Sequence, residues 1–164
     1  MKKCILAVDG GGDGFRKKAV IGIGVKNLGS TGLLADAKID DLFGFISKNF
    51  PSNAKGISYA MAGEIRDHKI VVKSPNIHML DGENLARLTQ QDLGLPCVVG
   101  NDMECAVMGM AALLPDEKYF MGITWSSGIG LRFYQDGKIL ADSEGGHIPL
   151  DPSPYAPRCG CGVR

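Results

Sequence analysis

The 164-residue chain predicts an α/β domain on a mixed sheet, followed by the beginning of a second unit. Short β-rich apolar runs alternate with longer segments whose apolar residues recur at helical spacing. Proline or glycine closes each helical segment. A strand, a glycine-rich turn and a returning strand occur at residues 4–25 and again at 119–134, a weak internal echo. Two such hairpins facing each other would present two loops to one polyphosphate.

Residues 4–8 are apolar without a break and read as a buried strand. They run into Asp9-Gly10-Gly11-Gly12-Asp13-Gly14, a turn that must be tight. Residues 19–25 are β-rich and read as the returning strand, with a loop at 27–32. Ile39, Leu42, Phe43, Ile46 and Phe50 recur at helical spacing until Pro51. Ile57, Tyr59 and Met61 alternate as in a strand, and 70–72 form a short one. Leu85, Leu88 and Leu93 predict a helix from near Asp81 to Gly94, with Pro96 beyond. A brief strand at 97–99 and a helix at 103–114 follow, closed by Pro115. Strands at 119–125, 129–134 and 138–140 complete the order, joined by Ser126-Ser127-Gly128 and Asp136-Gly137. Leu114-Pro115-Asp116-Glu117 is the candidate boundary, giving units at 1–114 and 115–164.

Composition narrows the function. Hydrophobic residues make up 45% and charged residues 22%, so a core can form. Eighteen basic residues balance eighteen acidic ones, which offers no attraction to nucleic acid or an anionic membrane. The opening apolar run meets Asp9 too early for a signal peptide. No run approaches the ~18–20 apolar residues of a membrane span. A cytoplasmic protein is expected. Glycine, 23 residues, is about twice as frequent as usual. Either turns are tight, or backbone approaches something closely. Of five cysteines, Cys4, Cys97 and Cys105 lie among apolar neighbours and read as small core side chains.

Three clusters could carry chemistry. Asp9-Gly10-Gly11-Gly12 follows a buried strand, so its backbone N–H groups could face phosphate oxygens while Asp9 holds hydrated Mg²⁺. A glycine hairpin with a capping aspartate is the plainer reading. The pattern is neither a dinucleotide-binding fingerprint nor a Walker A loop. Gly100-Asn101-Asp102 lies between a strand and a helix. It suits a helix cap, or a cleft where Asp102 takes a proton from a hydroxyl and Asn101 bonds the substrate. Glu144-Gly145-Gly146-His147 precedes Cys159-Gly160-Cys161-Gly162, and imidazole with thiolates suits zinc, though three donors are one short. His68 and His78 have no ligand neighbours in sequence and read as surface residues.

These motifs, with Ser74-Pro75-Asn76 and Ser127-Gly128-Ile129-Gly130, stand in an order that resembles the ROK family of repressors, open reading frames and sugar kinases. The resemblance runs from residue 4 to 164. It implies a ribonuclease-H-like fold of the actin/hexokinase type, with two lobes around a cleft and only the start of the second lobe here. Asp9, Gly11 and Gly12 match the first phosphate loop, with Asp13 beside them. Ser127, Gly128 and Gly130 match the second. Asn76, Asn101, Glu144 and His147 match sugar-hydroxyl ligands, and Asp102 the catalytic base. His147, Cys159 and Cys161 match zinc ligands. The implied reaction is transfer of the ATP γ-phosphoryl group to a hexose or amino-sugar hydroxyl with Mg²⁺ present. A homodimer is a further implication.

The sequence departs from the family pattern in three places. The zinc motif continues past two cysteines in the family, whereas this chain ends at Gly162-Val163-Arg164. A third cysteine and a glutamate are therefore missing, which suggests a truncated form. Asp13 stands where the family carries threonine, and a carboxylate ~5 Å from a phosphate charge costs about 3 kcal/mol at a dielectric of ~20. Ser126 and Leu131 replace glycines flanking the second phosphate loop. Alternatives to the kinase are a non-catalytic sugar sensor and a degenerate product. Only three residues precede Cys4, so a repressor's DNA-binding segment is not expected.

Overall fold

Cys4, Leu6, Val8 and Gly10 are buried while their neighbours are less so, and this period of two makes residues Cys4–Gly11 a strand, β1, with one face in the core. The structure is a computed structural model. It describes residues 3–11, 14–21, 24–32, 37–48, 50–125, 129–140, 146, 151, 153 and 155–156. In chain order β1 is followed by β2 (Gly14–Ile21), β3 (Gly24–Thr31), α1 (Ile39–Ser47), β4 (Ala54–Met61), β5 (Glu64–Arg66), β6 (Ile70–Lys73), α2 (Leu85–Leu93) and β7 (Cys97–Asn101). Then come α3 (Asp102–Leu113), β8 (Tyr119–Trp125), β9 (Ile129–Gln135) and β10 (Lys138–Ile139). Two compact units divide at Met1–Asp102 and Met103–Arg164. The division falls before the body of α3, whereas the sequence reading places it after Leu114.

The first unit carries a five-stranded mixed sheet in the order β3-β2-β1-β4-β7. β1–β2 and β2–β3 are antiparallel, while β1–β4 and β4–β7 are parallel. The parallel pairs require crossovers, and the segments containing α1 and α2 supply them. Leu6, Val8, Tyr59, Met61 and Val99 of the sheet share one buried cluster with Leu42, Phe43 and Ile46 of α1 and Leu85 of α2. Each such side chain contributes roughly 1.5–3 kcal/mol on burial. Tyr59 is completely buried, and its hydroxyl lies 3.0 Å from Thr89 Oγ1 of α2. That bond ties the central parallel strand to its crossover helix.

Local chemistry sets the element ends. The Lys38 N–H donates to Asp41 Oδ2 at 2.8 Å, and Asp40 and Asp41 place negative charge at the start of α1. α1 ends at Ser47, so Phe50 packs on the core from outside the helix. Asn84 caps α2 by accepting the Arg87 N–H at 2.9 Å, and Gly94 ends it in the left-handed conformation. The helix therefore starts at Leu85 and not near Asp81, because His78–Leu80 form a separate 3₁₀ turn.

The stretch 19–25 is divided between β2 and β3, and most of the expected loop at 27–32 is strand. Asn27, Gly29 and Ser30 obscure it. The pairing skips Leu28 between Lys18↔Asn27 and Lys17↔Gly29, which is a bulge, and Gly29 has φ +131°. Polar β3 suits the sheet edge it occupies. β5, three residues long, has no apolar period and is absent from the sequence reading.

In the second unit β10-β9-β8 form an antiparallel sheet. Asp136 and Gly137 both have positive φ, as a two-residue type I′ hairpin requires. Met103 and Val107 of α3 are buried over Gly122 and Gly130 of this sheet. Phe120 and Tyr134 stack on the same side, their rings 4.7 Å apart. Cys4 is buried, while Cys97 and Cys105 are half-buried.

Burial pushes the Tyr59 hydroxyl well above the usual tyrosine pKa. Stability from this group is full below about pH 10 and falls above it, as the unfolded chain ionises first. Tyr59→Phe should cost about 1–3 kcal/mol near neutrality by removing the buried bond between the tyrosine hydroxyl and Thr89. It should also flatten the alkaline limb of stability measured by urea unfolding. An unchanged alkaline slope would contradict the burial argument.

Candidate active site

Parallel pairing brings three carboxyl strand ends to one level. Gly10 of β1 pairs with Met61 of β4, and Met61 with Asn101 of β7. Asp9 and Asn101 thus reach the same sheet edge, two strands apart, or about 10 Å at the usual strand spacing. Asp102 follows at once as the first residue of α3. An acidic residue there is also what a helix start favours.

Asn101 is oriented by a bond from its Nδ2 to the Gly63 carbonyl, 3.0 Å away. Gly63 has φ +121°, and a Cβ there would collide with the Lys73 carbonyl and lie 2.8 Å from Ser74 Cα. Only glycine lets the turn after β4 lie against the end of β6. Ser74 then opens the loop that carries Asn76. Its N–H donates to Asp81 Oδ1 at 2.7 Å, and its Oγ accepts the Ile77 N–H at 3.2 Å. Asp81 Oδ2 also lies 3.4 Å from His78 Nδ1. Ile77 and Leu80 are sunk in the core, while Asn76 is exposed between these anchors. The Ser74 N–H, and then the His78 ring and Lys73, hold the Asp81 carboxyl below the usual range.

At the first strand end, Arg16 Nη1 stands 3.5 Å from Asp9 Oδ2, and the two residues are register partners across β1–β2. A pair this exposed contributes at most about 1 kcal/mol. A Cβ on Gly10 would meet Met61 and Phe15 within 3 Å, so Gly10 serves core packing. A Cβ on Gly11 would meet nothing within 4 Å, so space lies beside it.

The described residues therefore bring Asp9, Gly11, Asn101 and Asp102 to one edge, with Asn76 on a loop braced through Gly63. Gly130 lies in the second unit, where a Cβ would meet Thr124 Oγ1 at 2.7 Å and Met103 Sδ at 3.2 Å. There it has a packing role as well. Gly12, Asp13, Ser127, Gly128, Glu144, His147, Cys159 and Cys161 lie outside the described residues. Among the described residues no group of three or more His, Cys, Asp or Glu could hold a metal ion. The sequence reading assigns no role to Gly63 or Arg16, and takes Asp81 only as a helix start. Their signals were a glycine between two strands, an acid seven residues after a buried serine, and a hairpin register.

The profile of the ROK family matches residues 32–164. The chain is 29% identical over 153 residues to a C(7)-cyclitol 7-kinase of Streptomyces hygroscopicus subsp. limoneus, covering 84% of this chain and 43% of that protein. It is 30% identical over 118 residues to an N-acetylmannosamine kinase of Salmonella newport (strain SL254), covering 68% of this chain and 40% of that one. It thus spans less than half the length of these relatives. A solved ROK family glucokinase from Streptomyces griseus, in complex with glucose and AMPPNP, shares the fold at TM-score 0.78 and 24% identity, over 98% of this chain and 55% of that one. A ROK family transcriptional regulator, a homolog of the E. coli MLC protein, shares it at TM-score 0.72 and 20% identity, over 99% and 45%.

Two outcomes follow from the loop geometry. The Asp81 clasp should be complete above about pH 4, the unfolded aspartate range, and be lost as pH falls through the lower folded value. The Ser74 amide shift in an NMR titration should report that midpoint, and Asp81→Asn should abolish the response. A midpoint at or above ~3.9 would contradict the clasp. Gly63→Ala should cost at least about 1–3 kcal/mol from its backbone conformation. Gly11→Ala, in open space, should leave urea unfolding unchanged or slightly stabilised.

Proposed function

The chain belongs to the ROK family, and from that premise we propose that it carries the sugar-binding and proton-accepting part of an ATP-dependent sugar kinase. The acceptor is a hexose or amino-sugar hydroxyl. The observation that carries the reading is the convergence of Asp9, Gly11, Asn101 and Asp102 at the carboxyl ends of β1 and β7, the parallel strands on either side of β4, where open α/β sheets bind ligands. The fold alone does not choose between kinase and regulator, since both occur among the similar structures. The sequence relatives named above favour the kinase.

In this reading Asn76 and Asn101 bond sugar hydroxyls, with Glu144 and His147 as further ligands. The sugar oxygen attacks the γ-phosphorus, its proton passes to the Asp102 carboxylate, and the bond to the bridging oxygen of ADP breaks. Gly11, Gly12 and Asp13 contribute one phosphate-contacting loop, and Ser127, Gly128 and Gly130 the other. Asp9 would hold hydrated Mg²⁺, which supplies charge neutralisation at the phosphates. His147, Cys159 and Cys161 would hold Zn²⁺, a structural ion for which imidazole and thiolate are the preferred donors. A nucleotide-dependent enzyme with eighteen acids and eighteen bases belongs in the cytoplasm and needs no nucleic-acid partner. No described helix is long and apolar enough to cross a membrane.

The test is turnover of ATP with a panel of hexoses, N-acetylhexosamines and cyclitols, using protein purified from its source cells. Asp102→Asn should lower kcat by about 10²–10⁴ and change sugar affinity only a few-fold. Unchanged turnover in that variant would overturn the assignment of the base. Sugar binding without turnover in the unaltered protein would overturn the kinase reading in favour of a sensor.

A further inference from the structure

We propose that Asp81 is a positioning residue for the acceptor sugar: it fastens the exit of the loop 74–81 to its entrance and so presets Asn76 before the sugar arrives. The proposal rests on the reading of Asn76 as a sugar-hydroxyl ligand. It assigns part of the sugar affinity to a residue outside the ligands of that reading.

The loop leaves β6 and rejoins it. Ser74 follows Lys73, the last residue of that strand. At the exit the Gly82 N–H donates to the Val71 carbonyl at 2.8 Å, and the Val71 N–H to the Glu83 carbonyl at 3.0 Å. A loop whose ends lie this close is a compact surface element, a common place for binding groups. Ser74, Ile77 and Leu80 recur at every third position and are buried. Pro75, Asn76 and His78 stand exposed between them. Pro75 fixes its own φ and disfavours a helical backbone at Ser74, so few free torsions remain around Asn76.

The buried anchors set the depth of the loop, and the Asp81 carboxylate adds the tie across it. Its Oδ1 accepts the Ser74 N–H at 2.7 Å. Ser74 is completely buried, and a buried donor bonded to an ionised acceptor is held more strongly than a neutral pair. Its Oδ2 lies 3.4 Å from His78 Nδ1, but the His78 side chain is 71% exposed, so that contact adds little. The bond to Ser74 therefore carries the tie. On its other side Ser74 lies against Gly63, whose carbonyl accepts from Asn101 Nδ2 at 3.0 Å. Fastening Ser74 thus fixes the loop of Asn76 with respect to Asn101, the other described asparagine of the sugar site. Without the tie a sugar that needs both asparagines must order the loop as it binds. Its apparent affinity then falls by the fraction of loops that are already competent.

The test compares variants of the whole protein, with glucose and N-acetylmannosamine as probes and ATP as donor. Asp81→Ala removes the acceptor, whereas Asp81→Asn keeps a side-chain oxygen for the Ser74 N–H. Asp81→Ala should raise KM for the sugar about tenfold or more, with kcat and KM for ATP within about twofold. In the sugar-free variant, NMR relaxation should show lower backbone order at Asn76. Asp81→Asn should bring KM back to within about threefold of the unaltered protein. Asp81→Glu keeps the charge and shifts the carboxylate by one methylene. It should raise KM about threefold or more, and it decides the matter if Asp81→Ala does not fold. Unchanged KM in the Ala and Glu variants overturns the proposal and leaves the kinase reading standing. So does a loosened loop with unchanged KM, because the tie then has no bearing on the sugar. Equal losses in Ala and Asn variants, spread over kcat and both KM values, overturn it as general damage to the fold. If the unaltered protein phosphorylates neither probe, the kinase reading toward these sugars fails, and the role of Asp81 falls with it.

Discussion

The candidate active site depends on β4 lying parallel between β1 and β7. Tyr59 and Met61 fix that placement, because both are fully buried and lie one step apart on one face of β4. A one-residue slip would turn both out of the core and replace them with the small, half-buried Ser58 and Ala60. The core therefore holds the register, and the register sets Gly10, Met61 and Asn101 on one level. Tyr59 adds a directional restraint through Thr89, which ties α2 to β4. The geometry of the polar edge is thus a consequence of apolar packing behind it.

Glycine shows how one residue type serves unlike ends in this chain. The high glycine content suggested tight turns or close approach to a ligand. The structure adds a third use, close approach between layers. Gly10 admits Met61 and Phe15, Gly122 admits Val107, and Gly130 admits Met103. Gly63 admits the backbone of β6 and so connects Asn101 to the loop of Asn76. Gly11 alone among these opens onto empty space. On the proposed reading that makes it the described glycine best suited to a phosphate, and it gives Gly130 a packing reason that a motif match cannot separate from a functional one.

Much of the framework was legible because period and punctuation agreed. The alternation at Ile57, Tyr59 and Met61, the helical spacing ended by Gly94, and the Asp136-Gly137 turn each match an observed element. β3 was not legible, since an edge strand is held by backbone pairing and tolerates the polar and glycine residues that read as loop. The start of α2 was misplaced because apolar residues near 78–80 anchor a 3₁₀ turn and not a helix. At the site, Asn101 and Asp102 could be read from their place between a strand and a helix. Gly63, Asp81 and Arg16 could not, because their partners lie at a register or across a loop. Pro115 follows the end of α3, and Met103 and Val107 of that helix pack in the second unit.

The two units achieve burial differently, and this bears on how the chemistry is divided. In the first, two crossover helices and a braced loop close the core behind the strand ends, so Asn101 and the loop of Asn76 stand on a rigid frame. Precise positioning of a substrate needs such a frame. In the second, among the described residues, α3 covers one face of a short sheet, and the opposite face carries exposed apolar residues. Three strands with one packed face are near the lower limit of independent stability. On the proposed reading, Asn76, Asn101 and Asp102, which bond the sugar and take its proton, fall to the first unit, while Glu144 and His147 fall to the second. Contacts to the transferred phosphate, on the same reading, are divided as well, with Gly11 in the first unit and Gly130 in the second, where a Cβ on Gly130 would meet Thr124 and Met103.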